Sequence, residues 1–165
     1  VEALEIERIV PKGANGFFWK VDDEWGLKVY YSFGWHGCAK PRFVKLERNN
    51  LKILSDVHCA PEVGDIIKVK LDLDYEGKRI QAKPLAVYTK IVHYPEKAWE
   101  LYAKGYPYNF RCINEDWHSA KSFLKFQKQV KNIIKGCKLK FDGSLKLGDI
   151  MPCTKKKAWY LVDGS

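Results

Sequence analysis

The sequence predicts an α+β protein whose residues 1–94 and 95–165 form two small lobes, and three observations predict it. Short runs of branched and aromatic residues, separated by turn residues, dominate the first stretch and imply antiparallel strands. One amphipathic segment, "PRFVKLERNNLKIL", interrupts them at helical spacing. Near residue 94 the pattern changes to helical segments followed by short extended pieces, which places a short hinge there.

Leu4 to Val10 is rich in branched residues and ends at Pro11, as a strand would. In the following "PKGANG", Gly13 and Gly16 flank Ala14-Asn15. Glycine serves equally a hairpin turn and a loop whose backbone approaches a ligand, so the residues alone leave both open. Phe17 to Val21 reads as the hairpin partner, Asp22-Asp23-Glu24 as an acidic turn, and Gly26 to Tyr31 as a third strand. Pro41 suits a first helical turn, and Val44, Leu51 and Leu54 recur on one helical face. "APEVGD" is a loop, Ile66 to Leu73 a strand, Asp74 to Lys78 a turn, and Arg79 to Val92 an extended return interrupted by Pro84.

In the second lobe Pro95 opens a short helix through Tyr102, stopped by Gly105. Asn114 is the expected N-cap of a longer helix, with Glu115 and Asp116 in its first turn. That helix runs to Lys135, with Trp117, Ala120, Leu124, Val130 and Ile134 on one side, and Gly136 closes it. Lys138 to Phe141, Ser144 to Leu147 and Ala158 to Val162 are short extended pieces. No internal repeat or low-complexity segment interrupts this order.

Composition narrows the classes. With 165 residues, 46% hydrophobic and 14% aromatic, the chain supports one compact domain or two very small lobes. No apolar run is long enough to span a bilayer and no signal-peptide pattern opens the chain, so a cytoplasmic protein without a membrane partner is expected. The five cysteines are scattered and odd in number, which argues against a disulfide framework. His36-Gly37-Cys38 and His58-Cys59 fit no common zinc spacing. The net charge of +9 favours an anionic partner: a phosphorylated small molecule, an acidic protein surface or nucleic acid. The one compact basic run, Lys155-Lys156-Lys157, reads as a solvated loop.

One residue conflicts with its own pattern. Positions 44, 47, 51 and 54 share a helical face, and Glu47 stands among Val44, Leu51 and Leu54. A carboxylate in an apolar stripe costs on the order of several kcal/mol unless paired. Either Glu47 lies at the stripe's edge and reaches water, or a cation faces it from the sheet. Lys28 qualifies, because Leu27 and Val29 of "GLKVYYS" alternate to the opposite face. A strand lysine that follows a glycine loop and faces a helix glutamate can hold phosphates.

On these residues the chain resembles the protein-kinase-like family. Lys12, Gly13, Ala14, Asn15 and Gly16, after Pro11, match its glycine-rich loop with proline in the first place, Lys28 its strand lysine and Glu47 its helix glutamate. "AVYTKIVHYPE" is similar to the fifth strand and hinge, so backbone groups from Ile91 through His93 to Tyr94 would meet an adenine ring. "LGDIMPCT" places Asp149 and Pro152 in register with the catalytic loop, with Leu147 for the histidine and Thr154 for the metal-binding asparagine. "AWYLVDGS" places Asp163 at the metal-binding aspartate, after a tight hairpin at the lysine run.

The resemblance implies a five-stranded antiparallel lobe with one helix, joined to a truncated, mainly helical lobe that stops at Ser165, where a complete kinase would continue. It implies ATP and Mg2+ as cofactors, with Lys28 and Glu47 positioning phosphate, Asp149 as base, and Asp163 and Thr154 as metal ligands. Three functional classes compete: a minimal phosphotransferase, a pseudokinase that binds a specific protein partner and, from outside the family, a basic protein that stacks nucleic-acid bases on Trp19, Trp25, Tyr30 and Tyr31. So compact a kinase-like core would suit a phage or other small genome.

Overall fold

A computed structural model describes residues 16–93, 115–141 and 150–162. The fold is α+β, with small antiparallel sheets and two helices among the described residues. None of the described helices is long and apolar enough to cross a membrane. The chain divides into two compact units, Val1–Arg48 with Val63–Ile91 and Asn49–Glu62 with Val92–Ser165. The first long helix therefore supplies residues to both.

The first unit is built on a four-stranded sheet. Strands β1 (Phe17–Lys20), β2 (Trp25–Val29), β5 (Val63–Lys68) and β8 (Leu85–Lys90) pair antiparallel in the order β1-β2-β8-β5. Two short strands, β3 (Tyr31–Ser32) and β4 (Gly37–Cys38), form a separate ladder between β2 and the helix in sequence. The expected strand at Leu4–Val10 lies outside the described residues, and among those described the sheet has four strands.

The expected single strand Ile66–Leu73 is two strands. β5 stays in the sheet, whereas β6 (Leu71–Tyr75) leaves it to pair with β7 (Lys78–Ala82). Pro84 is the physical reason. It accepts the Val69 N–H at 3.0 Å but has no N–H to return, so the ladder breaks opposite it on both strands. The β6–β7 hairpin closes through Glu76 and Gly77 with φ of 49° and 77°, the two left-handed residues that a type I′ turn requires. Phe17, Leu27, Val29, Val69, Leu71, Ile80 and Ala86 are buried together as the core of this unit.

Helix α1 (Pro41–Asp56) forms as its spacing predicts and ends in a Schellman motif. The Cys59 N–H reaches the Leu54 carbonyl at 2.8 Å, the His58 N–H reaches Ser55 at 3.1 Å, and His58 takes φ 60°. His58 is thus committed to stopping a helix.

In the second unit, helix α2 (Ala120–Gly136) begins later than the sequence reading expects. Asn114 lies outside the described residues, and residues 115–119 form turns. Ser119 is the N-cap, in a reciprocal capping box with Ser122. The start corrects the buried face: Phe123, Phe126 and Val130 point inward, whereas Leu124 is 55% exposed. Gly136 is the last helical residue and Lys138, at φ 51°, is the stop, with the Leu139 N–H on the Ile134 carbonyl at 2.9 Å. That left-handed residue replaces the strand expected over Lys138–Phe141.

β9 (Ile150–Cys153) pairs antiparallel with β10 (Ala158–Leu161) across the turn 154–157, the tight hairpin expected at the lysine run. Trp159 of β10 is buried, stacks on His118 with centroids 4.9 Å apart and meets the edge of Phe123 at 5.2 Å. The Leu161 N–H donates to Cys59, and the buried Asn50 side chain donates to the Lys140 carbonyl at 2.8 Å.

Candidate functional site

The ion pair expected from the sequence is present in the first unit. β2 places Leu27 and Val29 into the core, so strand alternation turns Lys28 to the other face. Lys28 lies opposite Phe18 on β1 and Val87 on β8, a central position with strands on both sides. α1 brings Glu47 to the same face with Val44, and the Lys28 Nζ donates to the Glu47 Oε1.

Burial decides how this pair works. The Glu47 side chain is 1% exposed, and that of Lys28 is 23% exposed. The carboxylate is therefore held by its partner, while the lysine side chain is partly exposed. The Lys28 Nζ also lies 5.3 Å from the centroid of the Tyr30 ring, a favourable cation–π position. The strand fixes the ammonium, the helix neutralises it and the ring lies beneath it. A partly exposed cation fixed in this way is preorganised to meet an anion.

The other predicted residues fall as follows. Lys12, Gly13, Ala14 and Asn15, with Asp149 and Asp163, lie outside the described residues. Gly16, a bridge residue, directly precedes β1, where an added Cβ would collide with the Val29 carbonyl oxygen. Its glycine is explained by close passage of the neighbouring backbone. The Ile91 N–H donates to the Glu24 carbonyl at 2.8 Å, which extends the β2–β8 pairing by a residue. In the second unit the His93 carbonyl accepts both the Thr154 N–H and, at 2.9 Å, the Thr154 hydroxyl. The structure thus brings together Lys28 with Glu47 and His93 with Thr154.

Tyr30 is the residue that sequence reasoning assigned differently. It and Tyr31 were candidates to stack on bases, but both are buried. The signal for its place beside Lys28 was the two-residue step along one strand face. Burial also pushes the Tyr31 hydroxyl and the Cys38 thiol, cross-strand neighbours on β3 and β4, above their ordinary pKa values. Both stay protonated near neutrality, which makes them poor nucleophiles. Among the described residues no three His, Cys, Asp or Glu side chains gather as a metal site. No family model, curated protein or solved structure matches this chain.

Proposed function

We propose that this protein is a kinase-like nucleotide-binding protein in which Lys28 holds ATP phosphates, and that its two-lobed architecture is of the protein-kinase type. The observation that carries the reading is the Lys28–Glu47 pair: a central-strand lysine, partly exposed, neutralised by a buried helix glutamate. An ammonium held in this way offers a fixed positive charge to phosphate oxygens, and phosphoryl transfer depends mainly on such positioning. Mg2+ would supply charge neutralisation on the phosphates, with Asp163 and Thr154 as its candidate ligands and Asp149 as candidate base. Leu147 and Thr154 depart from the family pattern, so the reading is a nucleotide binder with weak phosphotransfer that acts through a specific protein partner.

Thermal unfolding with and without ATP and Mg2+ tests it. Nucleotide at a hundred times its Kd should stabilise the fold by about 2.7 kcal/mol. The informative variant is the double substitution Lys28→Met with Glu47→Leu, because apolar replacement of a buried pair is often neutral for folding. It should fold and lose the nucleotide effect. Full stabilisation of that variant, or none of the natural chain, would overturn the reading. Transfer of the γ-phosphate should be slow; robust turnover abolished by Asp149→Asn would instead make the protein an active enzyme.

A further inference from the structure

The second unit carries a surface that the nucleotide reading does not use. Helix α2 contains Lys121, Lys125, Lys128, Lys131 and Lys135 and no acidic residue. All five lysines are exposed, and none makes an ion pair among the described residues. At 100° per residue they fall within an arc of about 120°, roughly opposite the buried Phe123, Phe126 and Val130. At 1.5 Å per residue the row is about 21 Å long.

Its neighbours at i,i+3 and i,i+4 are like charges, an arrangement that destabilises a helix. The capping box and the buried face hold α2 in spite of it. A partner with a matching line of negative charge would turn that repulsion into attraction. Lys138 and Lys140, also exposed, extend the basic run past the helix end. Beside the row, Lys125, Lys128, Gln129 and Asn132 line a shallow groove completed by Val57 and Ile133, where amide groups can donate to the same partner.

We propose that this face of α2 binds the phosphate backbone of double-stranded nucleic acid without reading its sequence. Lysines act on phosphate as point charges and lack the planar bidentate fork of arginine. The aromatic residues of α2 are buried, which leaves no platform for stacking single-stranded bases. The apolar face of the helix is occupied, so it cannot insert into a bilayer. Leu124 is the single exposed apolar side chain of α2 that is large, too little for the apolar centre of a protein interface.

The test is fluorescence anisotropy of a labelled 20-base-pair duplex of arbitrary sequence, titrated with the full chain. Three to five phosphate contacts predict log–log salt slopes of about −2.7 to −4.5, hence weakening by about 40- to 500-fold between 50 and 200 mM salt. Replacing Lys121, Lys125 and Lys128 together by glutamine should flatten the slope by about 2.7, and Lys128→Gln alone by about 0.9. A control with the same net charge, Lys45, Lys70 and Lys78 replaced by glutamine, should keep the natural slope. The lysines of α2 are exposed, so circular dichroism should show every variant folded. An unchanged slope in the α2 variants, or equal flattening in the control, would overturn the proposal. So would tighter binding, at 150 mM salt, to phosphatidylserine vesicles or to polyglutamate than to the duplex.

Discussion

The two units handle charge in opposite ways. The first buries a carboxylate and neutralises it within the fold, through Lys28 and Glu47. The second has a mainly apolar interior in which neutral polar groups such as the Asn50 amide and the Trp159 indole are hydrogen-bonded, and its α2 lysines are exposed. There the indole N–H of Trp159 reaches the Trp117 carbonyl at 2.9 Å and the Ser122 hydroxyl at 3.1 Å. A buried charge fixes one position tightly, because removing its partner strands it in low dielectric. A neutral network fixes several positions more loosely, because each lost hydrogen bond costs only its own desolvation. The first arrangement suits a point that must meet a ligand, the second a scaffold.

The largest expected effect breaks the first arrangement and is asymmetric. Lys28→Met leaves the Glu47 carboxylate buried without its ammonium, and should cost about 3–5 kcal/mol in urea unfolding. Glu47→Gln leaves a lysine that already reaches water, and should cost about 1–2 kcal/mol. Equal losses from the two variants would mean that the carboxylate is not the buried partner that matters.

The second effect sharpens the contrast from the other side. Ser122→Ala removes the acceptor for the Ser119 N–H at 2.9 Å, which is the reciprocal half of the capping box, and one acceptor of the Trp159 indole. A loss of about 1–3 kcal/mol is expected. Trp159→Phe should cost a similar amount, and the double variant less than the sum, since both act on one network. Strict additivity in chemical denaturation would show that the network is not a unit.

The legibility of these features in the sequence differs for a physical reason. Glu47 was readable because it contradicts its own stripe, and a contradiction in an amphipathic pattern demands a partner. Lys28 was readable because strand alternation set it apart from Leu27 and Val29. The cap of α2 was not, because Asn114, Asp116 and Ser119 are all good N-cap residues and the pattern cannot choose among them. Ser122 also hid as the capping-box partner, a place where Glu or Gln is the usual signal. The helix stops at His58 and Lys138 were invisible, since no residue type there announces a positive φ. Pro84 announces a break in its own strand, whereas its effect on the strand across from it depends on register.

The smallest expected effect concerns a third kind of charge, one that is exposed yet locally bonded. The Asp22 Oδ1 accepts the Trp25 N–H at 2.7 Å and the Glu24 N–H at 2.8 Å, and so shapes the turn between β1 and β2. These two bonds, that from Trp25 first, hold its carboxyl below the ordinary pKa. The sign follows: the folded state favours the carboxylate, so the contribution is present above the unfolded pKa and is lost as pH falls through the folded one. Asp22→Asn keeps an acceptor but cannot titrate. The natural chain should therefore melt slightly above the variant at pH 7, and the gap should close toward pH 3. Full exposure keeps this difference well below that of Ser122→Ala. A gap of the same size at both pH values would show that the turn does not depend on the charge of Asp22, and would leave Glu47 as the carboxylate on which this unit depends.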